Sequence, residues 1–251
     1  LIEARYSSED MTETIDLTNL QSELTGKNPR VVLRAALERF ERIAISFSGA
    51  EDVVLVDLAS QIRPGVEVFC LDTGRLHPET YRLIEAVRKK YPVQLEVLSP
   101  DAAAVDALVR EKGLFSFYEE GHTECCGIRK VQALRKKLGT LDAWVTGQRR
   151  DQSLTRVELS EIESDTAFAA SGKTLYKFNP LANWTSSQVW DYIEAYDVPF
   201  NELHRKGFVS IGCEPCTRPT LPNQHEREGR WWWEDGSKKE CGLHGGNLSK
   251  S

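Results

Sequence analysis

Short apolar runs alternate with amphipathic stretches along the chain from about residue 28 to residue 196. Short apolar runs are typical of buried strands, and apolar positions three or four apart are typical of helices with one buried face. The pattern predicts strands at residues 43–47, 66–70, 93–98 and 143–146, and helices from residue 28 and at residues 51–62, 78–90, 101–111, 124–138 and 186–196. This alternation predicts a doubly wound α/β fold, with a mainly parallel sheet of five or more strands and helices on both faces.

The rest of the chain departs from this alternation. Residues 157–178 are polar and contain one glycine, which predicts an antiparallel hairpin or an edge element. Beyond residue 198 the pattern is sparse, yet a run of three tryptophans at 231–233 stands in a polar, charged segment. Disordered segments seldom carry such a run, so we predict a docking tail or lid. We therefore expect an N-terminal arm (1–27), an α/β domain (28–218) and a C-terminal tail (219–251).

Composition and charge narrow the function. The 251 residues are 40% hydrophobic and 28% charged, which fits one substantial domain. The formal net charge of −6 argues against a surface that binds nucleic acid, so an anionic ligand needs a local basic pocket. No apolar run approaches the roughly 20 residues that cross a bilayer, and no secretory signal is present. We expect no membrane partner and a cytoplasmic location, which the six unevenly grouped cysteines also suit.

Two loops at predicted strand ends carry candidate ligand-binding residues. Ser46, Ser48 and Gly49 lie between a strand and a helix, where backbone N–H groups and the helix dipole favour a phosphate. The loop lacks Gly-Lys-Ser/Thr and resembles the pyrophosphatase-type Ser-x-Ser-Gly-Gly-x-Asp loop, with Ala50 at the second glycine. The alternative is a plain strand-to-helix turn. The second loop, residues 71–74, follows the next strand and is expected to line the same crevice, where Asp72 and Thr73 contact a ribose or adenine or only cap the turn.

Four cysteines form a second candidate site. Cys125 and Cys126 are adjacent, and Cys213 and Cys216 have the spacing common to iron–sulfur and zinc sites. The spacing alone favours neither group, and four unrelated thiols are a further alternative. Lys130 follows Cys126 by one helical turn and is expected to point to the same side, between the thiols and an anionic substrate.

A fifth cysteine stands alone in the tail. Cys241 follows Lys238 and Lys239 and precedes His244, surroundings that lower a thiol pKa and increase its thiolate fraction. An exposed thiol of this kind is a liability unless it has a use, so Cys241 is a candidate nucleophile.

Five ordered motifs resemble the assimilatory adenylyl-sulfate reductases of the PAPS/APS reductase family, over roughly residues 40–245. They are Ser-Phe-Ser-Gly-Ala-Glu-Asp (46–52), Leu-Asp-Thr-Gly-Arg-Leu-His-Pro-Glu-Thr (71–80), Cys-Cys-Gly-Ile-Arg-Lys (125–130), Gly-Cys-Glu-Pro-Cys-Thr (212–217) and Glu-Cys-Gly-Leu-His (240–244). The resemblance implies an adenine nucleotide α-hydrolase-like fold and a [4Fe–4S] cluster on the four paired cysteines. It also implies attack by Cys241 on adenosine 5′-phosphosulfate, then reduction of the S-sulfocysteine by thioredoxin to give sulfite.

The resemblance also implies a substrate site. Lys130, Arg156, Arg227 and Arg230 match positions that would hold the phosphosulfate, and Arg149 is a substitute if Arg156 is displaced. The other expected substrate-binding residues are Ser46, Ser48, Gly49, Ala50, Glu51, Asp52, Leu71, Asp72, Thr73 and Gly74. One departure is a loop one residue shorter than usual at Leu154.

We also expect a homo-oligomer. Alternatives are a 3′-phosphoadenylyl-sulfate reductase, an ATP pyrophosphatase or thiolation enzyme with this phosphate loop, and a zinc-stabilised nucleotide-binding module without catalysis.

Overall fold

Six strands form one sheet in a computed structural model that describes residues 15–152 and 156–234. The spatial order is β3-β2-β1-β4-β6-β5, and only the edge pair β5–β6 is antiparallel. The strands are β1 Ile43–Ser46, β2 Glu67–Leu71, β3 Gln94–Leu98, β4 Ala143–Val145, β5 Ile162–Ser164 and β6 Tyr176–Phe178. The predicted α/β class, the parallel sheet and the antiparallel edge element are confirmed.

Helices connect most of these strands. The α-helices in the described residues are α1 Leu17–Leu24, α2 Pro29–Arg39, α3 Ala50–Ile62, α4 Pro78–Lys90, α5 Ala102–Lys112, α6 Thr123–Cys126, α7 Gln132–Leu138 and α8 Ser186–Ala195. Asn28 caps α2 by accepting the Arg30 N–H, and Pro29 occupies the first turn, as the sequence signal predicts. Within the described ranges, none of these helices has the length and apolar character needed to span a membrane.

The two faces of the sheet carry separate cores. Along β1, Ile43 and Ile45 point into a large core that includes residues of α1, α2, α3, α4 and α8. Ala44, between them, packs on the opposite face with Leu134 and Leu138 of α7. Successive side chains of a strand point to opposite faces, so the fully apolar β1 sequence needs both layers.

Two helical regions differ from the prediction. Helix α1 lies in the stretch predicted to be an N-terminal arm, and its Leu20 and Leu24 are buried in the larger core. The helix predicted at 124–138 is interrupted by a π-helical turn, Gly127–Val131, in which the Gln132 N–H bonds to the Gly127 carbonyl. Periodicity does not reveal such a turn because a single i→i+5 bond leaves the surrounding pattern intact. The division into arm, domain and tail itself stays a prediction.

The sheet order creates a crevice. The connection from β1 runs to β2 on one side, whereas β4 lies on the other side of β1. In open α/β sheets such a switch point leaves a gap at the carboxyl ends of the two central strands, where ligands bind. The loops after β1, β2 and β4 therefore meet at one place.

Candidate active site

Two adjoining cavities lie at the carboxyl edge of the sheet. The larger one, which we call the crevice cavity, is lined by the loops after β1, β2 and β4 and by residues of the 204–230 region. The smaller one, the cysteine cavity, is lined by Cys125, Cys126, Cys213 and Cys216. Lys130 lines both cavities, so its side chain forms part of the wall between them.

The loop after β1 is organised by Asp52. Its Oδ2 accepts hydrogen bonds from the Ser48 N–H (2.8 Å), the Ser48 hydroxyl (2.9 Å) and the Gly49 N–H (2.9 Å). Its Oδ1 accepts from the Gly147 N–H, after β4, at 2.9 Å. The expectation that these N–H groups are all available to a phosphate therefore needs correction, because Asp52 takes two of them.

Gly147 allows this contact between the two loops. A Cβ at this position would lie 2.6 Å from Asp52 Oδ1 and 2.7 Å from Glu51 Cβ, closer than real Cβ contacts. The close approach brings the β1 and β4 loops together at the switch point. Any side chain at 147 would push them apart.

The environment of Asp52 shifts its titration. Burial, and to a smaller extent the nearby Glu51 carboxylate, raise the pKa of Asp52 to about 6, although the hydrogen bonds from Ser48 and Gly49 favour the charged form. The carboxyl group is thus held in a position where its charge is costly.

Most of the predicted substrate-binding residues share the crevice cavity. Those that line it are Ser46, Ser48, Gly49, Ala50, Glu51, Asp52, Leu71, Thr73, Lys130, Arg156, Arg227 and Arg230. Asp72, Gly74 and Arg149 are not among its lining residues. The structure therefore brings together residues separated by almost 190 positions.

The exceptions have internal partners. The Asp72 carboxylate accepts from the Gly74 N–H and the Tyr81 hydroxyl, each at 2.8 Å, which is the turn-capping alternative. Gly74 has a φ of +69°, which a glycine adopts readily. Thr73 faces the cysteine site as well, because its hydroxyl lies 3.1 Å from the Cys213 sulfur.

Arg149 is buried beneath the crevice rather than exposed in it. The guanidinium is 1% exposed and pairs with Glu51 at 3.0 Å, with Glu226 at 3.4 Å, and with Asp151. Burial would lower its pKa, but the Glu51 and Glu226 carboxylates raise it overall. Arg149 therefore links the β1 loop to the segment that carries Glu226, and no anion is needed to neutralise it.

Cationic side chains gather around the buried indole of Trp231. The ring centroid lies 4.6 Å from Arg230 Cζ, 5.7 Å from Arg227 Cζ and 5.9 Å from Lys130 Nζ. Trp231 is fully buried. The π face offsets part of the repulsion among the three cations, and an anion in the crevice cavity would offset more.

Arg230 has unused hydrogen-bonding capacity. Its Nη1 donates weakly to the Ser210 hydroxyl (3.4 Å) and the Ile211 carbonyl (3.3 Å), while its buried Nε has no partner among the described residues. A buried donor without an acceptor is costly, so a ligand in the crevice cavity that offers an acceptor to Arg230 would be bound more favourably.

The four paired cysteines reach one cavity from two segments, helix α6 with Cys125 and Cys126 and the 213–216 loop with Cys213 and Cys216. An isolated antiparallel bridge joins Cys213 to Leu76, and the Glu214 N–H donates to the Arg75 carbonyl at 2.8 Å. The Trp231 N–H donates to the Cys216 carbonyl at 3.1 Å. The 213–216 loop is therefore tied both to the β2 loop and to the start of the tail.

The thiols are largely buried. Cys125, Cys126, Cys213 and Cys216 form no disulfides. Burial raises the pKa of Cys216 to about 12 and also raises the pKa of Cys125, on which nearby cations act in the opposite direction. Over residues 15–152 and 156–234, no set of three or more His, Cys, Asp or Glu side chains converges to hold a single metal ion.

Two arginines also line the cysteine cavity. Arg129 donates to the Thr73 carbonyl at 2.9 Å through Nη1, yet its buried Nε has no partner in the described chain. Arg75 likewise has a buried Nη1 without a partner there. Four thiols and two orphaned cationic donors around one space are suited to a polynuclear anionic group.

Several residues at the site were not singled out from the sequence. His122 stacks on Trp231 with ring centroids 4.1 Å apart, and its Nδ1 lies 2.8 Å from Glu234 Oε2. His204 lines the crevice cavity with a buried Nε2 that has no partner among the described residues, and burial lowers its pKa. Such residues carry no local signal because only tertiary contacts give them their place.

Cys241 and Leu154 lie outside the described residues. The predictions about the nucleophile and about the shorter loop therefore rest on the sequence.

The fold and the two cavities define a doubly wound α/β protein with a nucleotide-type crevice beside a four-cysteine site. The family model described as "Phosphoadenosine phosphosulfate reductase domain" matches residues 42–219, and the chain belongs to this family. The resemblance inferred from the motifs is thereby confirmed.

Curated relatives within this family are named as reductases of adenosine 5′-phosphosulfate. The chain is 59% identical over 240 residues to an adenosine 5′-phosphosulfate reductase of Pseudomonas aeruginosa, covering 95% of this chain and 90% of the relative. It is 46% identical to the enzyme of that name from Burkholderia cepacia, covering 92% of each. It is 53% identical to a chloroplastic 5′-adenylylsulfate reductase of Arabidopsis thaliana, covering 96% of this chain but 54% of that longer protein.

Solved structures support the fold. A phosphoadenylyl-sulfate reductase from Candida auris, in a phosphate complex, has a TM-score of 0.68 at 28% identity, covering 80% of this chain and 95% of that one. An FMN adenylyltransferase from Candida glabrata has a TM-score of 0.54 at 18% identity, covering 82% and 71%. The second similarity concerns the fold alone.

We predict a titration of Asp52 near pH 6. Because the pKa in the folded protein lies above the ordinary aspartate value of 3.8, Asp52 does not lower the stability below about pH 4, and stability falls as the pH rises from about 4 to 6. A shift of this size corresponds to about 3 kcal/mol. The measurement is the ¹³C chemical shift of the carboxyl carbon, assigned with Asp52→Asn, together with urea unfolding across this range.

The matched control is Asp106→Asn on the exposed side of α5, which should leave the pH dependence of unfolding unchanged. A carboxyl midpoint near 4 for Asp52 would show that its hydrogen bonds outweigh its burial.

Proposed function

We propose that this protein is an adenosine 5′-phosphosulfate reductase, which converts its substrate to sulfite and AMP with electrons from thioredoxin. The family match and the names of relatives that are up to 59% identical over most of the chain support this activity. The observation that carries the proposal is the position of Lys130, which lines both the crevice cavity and the cysteine cavity. A sulfate bound in the crevice cavity next to Lys130 would contact a cation that also lines the cysteine cavity.

The nucleotide lies in the crevice cavity in this proposal. The β1 loop, with Ser46, Ser48 and Gly49, is expected to contact the nucleotide, and Leu71 and Thr73 extend the wall. The substrate-binding assignments of Ala50, Glu51, Asp52, Asp72 and Gly74 stay predictions, with Asp72 the least supported because its carboxylate caps a turn. Arg149 acts from beneath the site by joining Glu51 to Glu226.

The phosphosulfate lies against the positively charged side of the crevice cavity, which we call the cationic wall. Lys130, Arg156, Arg227 and Arg230 line the cavity there, and the Nε of Arg230, which has no acceptor within the described part of the chain, provides a donor. The approach of a thiolate to a sulfate brings like charges together, and the positive side chains reduce that repulsion. Arginine also suits the planar, forked contacts that phosphate and sulfate oxygens make.

Cys241 supplies the nucleophile. Its thiolate attacks the sulfur, an S–S bond forms, and the sulfur–oxygen bond to the phosphate breaks with its electron pair leaving on AMP. A thioredoxin thiolate then attacks Cys241 Sγ, so the S–S bond breaks and its electron pair leaves with sulfite. The second thioredoxin thiol resolves the mixed disulfide, which regenerates Cys241 and leaves oxidised thioredoxin. Two electrons thus reach the sulfur, and thioredoxin is their source.

The four paired cysteines would hold a [4Fe–4S] cluster. The donor set fits, because Cys125, Cys126, Cys213 and Cys216 line one cavity, and beside them Arg75 and Arg129 each have a buried donor with no partner in residues 15–152 and 156–234. When bound, the cluster would supply a fixed negative charge that tunes the field at Lys130, and it would tie helix α6 to the 213–216 loop. Every bond-making step described above is carried out by Cys241 or by the thioredoxin thiols.

The remaining assignments are consistent with this activity. Free thiols at five described cysteines suit the reducing cytoplasm, which we propose as the location. Binding of nucleic acid or membranes is not expected, and a homo-oligomer stays a prediction. A preference for the 3′-phosphorylated nucleotide is the nearest alternative, and competition between the two nucleotides distinguishes them.

We expect a covalent S-sulfocysteine at Cys241. Native protein incubated with adenosine 5′-phosphosulfate and no thiol should gain about 80 Da by intact-protein mass spectrometry, because SO₃ remains on the nucleophile. Thioredoxin should remove this mass. The Cys241→Ser variant should bind the nucleotide and gain nothing.

An equal gain by the Ser variant would move the nucleophile elsewhere. Absence of the adduct in native protein with demonstrated nucleotide binding, together with release of pyrophosphate from ATP, would favour the pyrophosphatase alternative.

We expect the four paired cysteines to bind iron. Native protein purified without oxygen should contain about four iron and four sulfide per chain. A [4Fe–4S] cluster contains this number of each, and the four paired cysteines provide its four thiolate ligands. Cys213→Ser should lose most of both, because Cys213 is a buried member of the set. Metal and sulfide analysis provides the measurement.

The matched control is Cys70→Ala, since Cys70 is also buried but does not line the cysteine cavity, and this variant should retain its iron. One zinc ion and no sulfide in native protein would contradict the cluster and favour a structural zinc site.

A further inference from the structure

Four large apolar side chains are exposed together beside the cysteine cavity. Leu114, Phe115, Tyr118 and Trp232 have 55%, 58%, 39% and 41% of their surface exposed, and we call them the aromatic patch. Soluble proteins seldom expose contiguous apolar surface without a use, although single exposed apolar residues are ordinary.

Ring contacts make the patch continuous across two distant segments. The Tyr118 ring lies 6.3 Å from both Phe115 and Trp232. Leu114 precedes Phe115 in the chain. The patch thus joins the segment after α5 to the beginning of the tail.

The patch is fixed to the wall of the cysteine cavity. The Tyr118 hydroxyl donates to the Pro215 carbonyl at 2.7 Å, inside the loop that carries Cys213 and Cys216. Trp233 Nε1 donates to the Phe117 carbonyl at 3.1 Å, and Phe117 is 2% exposed. The first bond fixes the exposed Tyr118 ring and the second joins the two segments next to the patch, so docking onto this surface would cost little ordering entropy.

Cationic groups flank the aromatic rings. Arg75 Cζ lies 5.7 Å from the Phe115 ring, and Arg218 Cζ lies 5.0 Å from the Trp232 ring. Aromatic residues and arginine are enriched where proteins bind one another, and they dominate the binding energy there.

The chain continues from the patch to the nucleophile. Glu234, the last described residue, follows Trp232 by two positions, and Cys241 comes seven residues later. Seven residues span at most about 25 Å even when fully extended. A stable protein interface covers about 800 Å² on each partner, which is close to 28 Å across. A protein that attacks the Cys241 sulfur must therefore approach within one interface width of the patch.

We propose that the aromatic patch is the docking surface for the thioredoxin-type protein that discharges S-sulfonated Cys241. This inference rests on the proposed function, in which an external protein dithiol must reach that sulfur. The patch lies outside the crevice cavity, whose lining contains none of its four residues, so the nucleotide and the protein reductant use different surfaces. The bonds made and broken are those of the second half-reaction given above.

The two half-reactions separate docking from catalysis. Native protein and the Phe115→Ala/Trp232→Ala variant are first loaded with SO₃ by adenosine 5′-phosphosulfate and freed of nucleotide. Discharge is then followed by mass spectrometry with thioredoxin or with dithiothreitol. We expect the rate constant with thioredoxin to fall about tenfold or more, as for loss of interface anchors. Loading and discharge by dithiothreitol should stay within about twofold, since neither needs the patch.

The matched controls are Leu221→Ala and Tyr196→Ala, which remove side chains that are 68% and 61% exposed outside the patch. Both should discharge with thioredoxin at the native rate.

Three results would overturn the proposal. An unchanged thioredoxin rate would mean that the patch is not the docking surface. Equal slowing with thioredoxin and dithiothreitol would mean that the patch shapes the tail itself, as when residues 235–251 cover it. A lower oligomeric mass of the variant in solution, with an unchanged discharge rate, would assign the patch to a second copy of this chain.

Failure of the proposed function has a different signature. Native protein would then form no S-sulfocysteine at all, and the docking proposal would lose its basis.

Discussion

The indole of Trp231 is the contact on which the site depends. The charged groups of Lys130, Arg227 and Arg230 each lie within 6 Å of its ring centroid, and the His122 ring stacks on it with the centroids 4.1 Å apart. The backbone N–H of Trp231 donates a hydrogen bond to the Cys216 carbonyl. Three cations so close together repel one another, and their gathering is stable only with an aromatic face and anions nearby. Trp231 therefore couples the tail, the cysteine loop and the cationic wall.

A second set of contacts attaches the residues around Trp231 to the sheet. Asp52 joins the loops after β1 and β4 through Gly147, and Arg149 joins Glu51 to Glu226 of the tail segment. Both contacts use buried charge, which is expensive and tolerated where partners are fixed. The segment from Glu226 to Trp231 thus has one attachment at the loop after β1 and another at the cysteines. A ligand in the crevice and a group on the thiols would both act on the same short segment.

Sequence reasoning reached the sheet, the helices and the participating loops because they depend on local periodicity and turn residues. Chemistry-bearing residues such as Cys125 and Lys130 were recognisable from their spacing. Helix α1 was missed because Leu20 and Leu24 are few for a convincing pattern, and their burial depends on the distant core. Burial of Arg149 was missed for a similar reason, since two of its three acidic partners, Glu51 and Glu226, are distant from it in the chain. The π turn at 127–131 and the stacking of His122 depend on tertiary packing alone.

The central claim is that the cationic wall at Lys130 recognises the sulfate beside the cysteine site. Calorimetric titration of Cys241→Ser and Cys241→Ser/Lys130→Met proteins, both iron-loaded, with adenosine 5′-phosphosulfate and with AMP tests this directly. Loss of one charge-assisted contact should weaken phosphosulfate binding by about tenfold or more. The AMP affinity should change much less, so the ratio of the two affinities falls. An unchanged ratio would contradict the account, because Lys130 would then serve the nucleotide as a whole or the fold.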